Sequence, residues 1–207
     1  MTDAVPNRNR ALIVVDMQNA FIAPANGRPV VGAERVLRAV NACVAEAAER
    51  GWPVFYTQDV APFEPPAQEL AREIEINDGL DVRGEVIPKG PGKQGGFSGF
   101  VLASTQVPGG GGPGGGGLSG LAERLTAANV DSVVVVGLAA DVCVAATARD
   151  ARRLGLDVMV PLGATAFVHA HPGGDEAAIE DLRAAGVTVG DEPVSSLGPW
   201  GSAGLGR

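Results

Sequence analysis

The sequence predicts an α/β fold: a single three-layer α/β/α domain built on a mostly parallel six-stranded sheet. Three observations carry this expectation. Short β-branched apolar runs alternate with segments of helical periodicity, the order expected of βαβ units. The runs are continuously apolar, as in parallel strands covered by helices on both faces. The chain has 207 residues, 45% of them hydrophobic, enough for one such domain with a sizeable core and short for two.

The elements follow in order. Ala11-Leu-Ile-Val-Val15 is the first strand and ends at Asp16. Val36, Val40, Cys43, Val44 and Ala47 recur at helical spacing within 33–50, and Gly51 stands where a C-terminal cap belongs. Pro53-Val-Phe-Tyr-Thr57 is the second strand. The Pro- and acid-rich stretch 59–84 holds one helix, over 67–74. Glu85-Val-Ile-Pro88 is a weaker third strand that ends at Lys89. A Gly-rich loop over 90–100 and the low-complexity run PGGGGPGGGG at 108–117 come next. A helix over 118–128 leads into Ser132-Val-Val-Val-Val136, the fourth and clearest strand. Gly137-Leu-Ala-Ala-Asp141 then turns into a helix over 142–154. Asp157-Val-Met-Val160 is the fifth strand, a helix over 175–185 follows, and Val187-Thr-Val189 is the sixth. The tail 191–207, rich in Gly, Ser and Pro, is expected to be irregular.

Composition narrows the function. A net charge of −8 repels phosphate backbones and anionic lipid, so neither nucleic acid nor membrane is expected as a partner. No stretch reaches the roughly eighteen apolar residues of a spanning helix, and the polar N-terminus lacks a signal-peptide core. The two cysteines, Cys43 and Cys143, are far apart, which fits free thiols and a cytoplasmic location. The partner that remains is a small molecule.

In parallel sheets ligands bind beyond the carboxyl ends of the strands. That rule selects Asp16, Asp59, Lys89 and the turn 137–143. Cys143 lies in the first turn of a helix, where unpaired N–H groups and the helix dipole favour an anion. This setting is expected to lower its thiol from the ordinary value of about 8.5 toward neutrality, and the same N–H groups can hold an oxyanion. A buried structural cysteine is the alternative for Cys143, and for Cys43, on an apolar helical stripe, it is the reading adopted. Asp16 is either a general base or a turn-capping residue. Lys89 either pairs with Asp16 or is a solvated loop lysine, and Lys93 is its rival. Gln18, Phe21, Phe63 and Phe97 either line the pocket or pack ordinarily. His169 and His171 are too few for a metal site and are expected at the surface or at the substrate's edge. The run Gly110–Gly115 satisfies GxGxxG by composition alone and follows no strand, so a dinucleotide site is rejected.

Three of these segments resemble one family. Ala11-Leu-Ile-Val-Val-Asp-Met-Gln-Asn-Ala-Phe21 resembles the opening strand and Asp of the isochorismatase-like, nicotinamidase-type cysteine hydrolases. Gly137-Leu-Ala-Ala-Asp-Val-Cys-Val144 is similar to their nucleophile turn, G-x-x-T-D-x-C-V, and Pro88-Lys-Gly with Phe97-Ser-Gly-Phe100 to their lysine and the aromatic motif after it. The resemblance implies Asp16 as base, Lys89 as electrostatic support and Cys143 as nucleophile. It implies a cis peptide at Leu138–Ala139 and an oxyanion hole made by the N–H groups of Ala139 and Cys143. Gln18, Phe21, Phe97 and Ala140 would bind substrate, and the chain is expected to be a homo-oligomer. The implied activity is hydrolysis of a C–N amide-type bond through a thioester at Cys143.

Two departures qualify the substrate. Ala140 replaces the usual Thr. Nicotinamidases bind a divalent metal through an Asp and following histidines, whereas Asp59 is followed by Val60-Ala-Pro-Phe63 and no histidine occurs before His169. No cofactor is therefore expected, with Asp59 a ligand only if a metal is present. A metal-dependent nicotinamidase, a hydrolase of lactams or bulky amides such as antibiotics, and a non-catalytic binding member of the fold are the alternatives.

Overall fold

A computed structural model describes residues 9–24, 28–61, 67–102 and 117–191. Phe63, most of the low-complexity run and the tail from 192 lie outside the described residues. The elements are β1 (Arg10–Val15), α1 (Asn19–Ile22), α2 (Ala33–Glu49), β2 (Val54–Asp59), α3 (Ala67–Ile74), β3 (Glu85–Lys89), β4 (Val101–Leu102), β5 (Gly117–Leu118), α4 (Leu121–Ala127), β6 (Ser132–Leu138), α5 (Ala145–Arg153), β7 (Asp157–Pro161), β8 (Thr165–Ala166), α6 (Gly174–Ala184) and β9 (Thr188–Gly190).

The main sheet runs β3-β2-β1-β6-β7-β9, with β8 paired to the end of β6. Every pairing in it is parallel. The chain builds outward from β1 through β2 to β3, then crosses back to β6 on the other side. The C-terminal ends of β1 and β6 therefore flank the point where strand order reverses, the place where open α/β sheets bind ligands.

Alternation along the strands divides the apolar residues between two cores. Leu12 and Val14 of β1 and Val134 and Val136 of β6 face α2, where Val36, Val40, Cys43, Val44 and Ala47 are buried. Ala11, Ile13 and Val15, with Val133 and Val135, face the opposite way. Leu121 and Leu125 of α4, Ala148 and Ala151 of α5 and Leu182 of α6 cover them. Cys43 and Cys143 thus lie in different cores.

The expected elements are present, with differences at several places, among them the added short helix α1. A two-residue strand, β8, joins the sheet because Thr165 and Ala166 pair with Gly137 and Leu138. Strand β2 extends to Asp59 because its pairing with β3 continues through Gln58–Pro88 and Asp59–Lys89. Pro88 is tolerated because β3 is an edge strand, where a missing N–H breaks no ladder. The helix expected from 118 starts at Leu121, since Gly117 and Leu118 form an antiparallel pair with β4 instead. The helix expected from 142 is preceded by a π-helical turn, Ala140–Val144.

Gly137 shows why the nucleophile turn begins with glycine. Its φ is 111°, and a Cβ there would stand 2.2 Å from the Val15 carbonyl oxygen of the neighbouring strand. The central pairing β1–β6 closes only without a side chain at this point. Gly137→Ala should therefore lower the unfolding free energy by roughly 3 kcal/mol or more. Urea titration checks this: a midpoint within error of the parent would contradict the close approach.

Candidate active site

Three strand ends bring the reactive side chains together. Asp16 follows β1 and takes φ 49°, a left-handed conformation that Asp tolerates. This turns it out of the strand line, and its N–H bonds to the Thr57 carbonyl at 3.2 Å. Lys89 ends β3, opposite Asp59 of β2. Cys143 lies in the π-helical turn after β6, beyond a cis peptide between Leu138 and Ala139. That cis bond stands where the family resemblance put it.

Lys89 is fully buried and is the hub. Its Nζ lies 2.7 Å from Asp16 Oδ2, 3.3 Å from Cys143 Sγ and 3.6 Å from Asp59 Oδ2. It also donates to the Phe97 carbonyl at 2.9 Å. Lys93, the rival, is exposed in the 3₁₀ turn Gly92–Gln94. The thiol is nearly closed off, with Cys143 7% exposed.

The electrostatics correct the expectation for Cys143. Burial pushes its thiol well above the ordinary range, and the Asp16 carboxylate pushes further, outweighing the opposing pull of Lys89. That carboxylate comes from another strand and is not a helix-end effect. Asp16 is also raised, chiefly by burial, against the lowering effects of Lys89 and Thr57. Burial disfavours the Lys89 charge, but Asp16, Cys143 and Asp59 together outweigh it and hold the ammonium firmly protonated. Cys43, lacking such company, is raised by burial to about 11.

Residues around the cluster serve as braces. Gln18 is fully buried, and its amide accepts the Asp59 N–H at 2.9 Å while donating to the carbonyls of Asp59 and Ile74. The expected substrate contact from Gln18 is thus replaced by a clamp between β1, β2 and α3. Phe21 packs half-buried against the α2 core. Phe97 presents its carbonyl to Lys89 and leaves its side chain 41% exposed. Ala139 and Ala140 are buried beside the thiol turn.

Three contributors escaped the sequence reading. Thr57 Oγ1 donates to Asp16 Oδ1 at 2.7 Å. Thr147 Oγ1 donates to the Cys143 carbonyl at 2.7 Å and accepts the Gly99 N–H at 2.9 Å, tying the nucleophile's helix to the 97–100 loop. Asp141 accepts the N–H groups of Val168 and Ala170, anchoring the loop before α6. Thr57 stands at the end of the predicted second strand, Asp141 within the nucleophile turn and Thr147 one helical turn after Cys143, but none of these places specifies a hydrogen-bond partner.

The donor set at Asp59 does not fit a metal. Oδ1 accepts the Ala61 N–H at 2.9 Å, and Oδ2 accepts the Gly92 N–H at 2.9 Å while facing the Lys89 ammonium. A Cβ at Gly92 would come within 3.0 Å of that oxygen, so glycine is needed for the contact. His169 and His171 sit on the α6 side instead, with His169 Nδ1 2.9 Å from Asp175 Oδ1 and His171 Nε2 3.1 Å from Asp181 Oδ2. Among the described residues no group of three His, Cys, Asp or Glu side chains could hold a metal ion.

The family model described as Isochorismatase domain matches residues 10–92 and 117–192. The nicotinamidase/pyrazinamidase of Mycobacterium tuberculosis is 34% identical over 198 residues, covering 87% of this chain and 97% of that protein. The streptothricin hydrolase of Streptomyces noursei is 34% identical over 153 residues, covering 73% of this chain but 48% of its own length. The crystal structure of PnC1 from L. infantum in complex with nicotinate matches with TM-score 0.69 and 27% identity, covering 91% of this chain and 96% of that one. The chain belongs to the isochorismatase family. The two curated relatives, not family membership alone, give the reaction class: an amidohydrolase acting on carbon–nitrogen bonds other than peptide bonds.

The charge balance makes a counterintuitive prediction. Asp16→Asn removes the charge that opposes the thiolate and leaves Lys89 to favour it, so alkylation of Cys143 near pH 7.5 should become several-fold faster, roughly the effect of one pKa unit. Peptide mapping after iodoacetamide treatment separates Cys143 from Cys43. An unchanged or slower rate would show that Asp16 does not face the thiol.

Proposed function

We propose that the protein is a cysteine amidohydrolase that acts on a small amide through a thioester at Cys143, without a metal. The observation that carries this reading is the buried Lys89 ammonium lying 2.7 Å from Asp16 and 3.3 Å from Cys143 at the sheet's switch point.

At rest the thiol keeps its proton and Asp16 is ionised against Lys89. As substrate binds, Asp16 takes the Cys143 proton and the thiolate attacks the amide carbonyl carbon, forming a C–S bond. This shift of a proton between two buried acids leaves the site's net charge unchanged. The oxyanion is held by the N–H groups of Ala139 and Cys143, where losing one donor costs about 3 kcal/mol in comparable sites. Lys89 stabilises both anions in turn. Asp16 returns its proton to the leaving nitrogen as the C–N bond breaks, and ammonia or an amine departs. Water, deprotonated by Asp16, then hydrolyses the thioester, and the carboxylic acid leaves with Cys143 reprotonated.

Two substrate classes have support. Similarity over nearly the whole length of a nicotinamidase/pyrazinamidase supports an aromatic carboxamide that releases ammonia. The donor set at Asp59 favours a second class, amides handled without a metal, among them ureido compounds and the bulkier amides or lactams suggested by the streptothricin hydrolase likeness.

Ammonia release from a panel of nicotinamide, pyrazinamide, small ureido acids and primary amides should identify the substrate, with product mass spectrometry covering streptothricin and lactams. Turnover should fall by at least about 10⁴-fold in Cys143→Ala, and acid quenching of the parent should trap an acyl adduct on the Cys143 peptide. Retained turnover in the variant would overturn the mechanism. Exhaustive dialysis against a chelator should leave turnover unchanged; loss restored by zinc would reinstate a metal. Because burial raises Asp16, its basic form is lost on acidification at a pH above the ordinary Asp value. The acidic limb of kcat/KM should accordingly lie above about 3.9.

A further inference from the structure

The Asp16 carboxylate is held asymmetrically. Its Oδ1 accepts the hydroxyl proton of Thr57 at 2.7 Å. Its Oδ2 is fully buried and is ion-paired with the Lys89 ammonium at 2.7 Å, with no hydroxyl or backbone N–H donor to it among the described residues. A carboxylate oxygen carries two lone pairs, so Oδ2 keeps capacity for a further proton partner. Thr57 itself is fully buried in β2, in register with Val15, the residue before Asp16. Its hydroxyl has one proton, which goes to Oδ1, and its oxygen faces the Asp16 N–H at 3.3 Å. The same side chain therefore touches both the backbone and the carboxylate of Asp16, fixing the rotation of the group.

We propose that Thr57 is a positioning residue that occupies Oδ1 of Asp16 and so assigns Oδ2 as the oxygen that exchanges protons with Cys143 and with the leaving nitrogen. The proposal rests on the reading of Asp16 as the general base. It follows that Thr57 acts through orientation and not by contact with substrate. With the hydroxyl removed, the carboxylate can rotate, and protons can settle on either oxygen, including one that does not face the thiol. The hydroxyl also stabilises the ionised carboxylate, so its removal favours the protonated form of Asp16. The charged and titratable groups around Asp16 are Lys89 from β3, Asp59 from β2 and Cys143 from the π-helical turn, and the substitution touches none of them.

Thr57→Val keeps shape and volume while deleting the hydroxyl, and Thr57→Ser restores it. On whichever amide the panel identifies, Thr57→Val should lower kcat roughly tenfold with KM within about twofold of the parent, the effect expected for one hydrogen bond to a charged group. The acidic limb of kcat/KM should move up by about one pH unit. Thr57→Ser should restore both the rate and the limb. Thermal unfolding of each variant checks that the fold is intact. A Thr57→Val protein with the parent's acidic limb, or a loss that Ser fails to restore, would overturn the proposal. Asp16→Asn and Cys143→Ala run alongside separate the two layers. If either turns over like the parent, the general-base reading fails; if both are inactive and Thr57→Val matches the parent, only the role of Thr57 fails.

Discussion

Everything in this site answers to one constraint, a lysine ammonium placed where water cannot reach it. Removing such a charge from water costs several kcal/mol unless partners surround it. Lys89 meets two carboxylates, a thiol and a carbonyl, each delivered by a different segment. The pairing of Asp59 with Lys89 across β2 and β3, the left-handed turn at Asp16 and the path of the 97–100 loop are all conditions for that shell. Burial and the Asp16 carboxylate, acting against the pull of Lys89, keep the neighbouring thiol neutral at rest.

The topology explains why the shell assembles here. Parallel strands end on the same side of a sheet, so residues just past β1, β3 and β6 share one edge although distant in sequence. The reversal of strand order between β1 and β6 falls at that edge. Gly137 lets the two strands approach each other closely there. Thr147 then links the nucleophile's helix to the loop that supplies the Phe97 carbonyl, so the thiol and the ammonium are positioned by one connected set of bonds.

Much of this was legible in the sequence. The runs at 11–15 and 132–136 read as buried strands because parallel strands are continuously apolar, and Asp16, Lys89 and Cys143 stood out as polar residues at strand ends. What could not be read was pairwise. The short strands β4, β5 and β8 have no periodicity of their own and exist because partners lie beside them. Thr57 looked like one more β-former, since its hydroxyl gains meaning only when Asp16 is adjacent. Gln18 looked like a pocket residue and turned out to be a clamp, because side-chain amides serve backbone groups as readily as ligands. The acidity of Cys143 is not legible locally for the same reason: helix-end effects are local, whereas burial and a carboxylate from another strand set its thiol.

The division of the apolar interior by the sheet has a consequence for redox damage. The chain has two cysteines, and they lie in cores on opposite faces. A sulfenic acid formed at Cys143 therefore has no thiol within the same molecule to condense with, because the sheet itself stands between the two sulfurs. Repair of the oxidised nucleophile has to come from a thiol outside the chain, and where that supply fails the next step is the irreversible sulfinic acid.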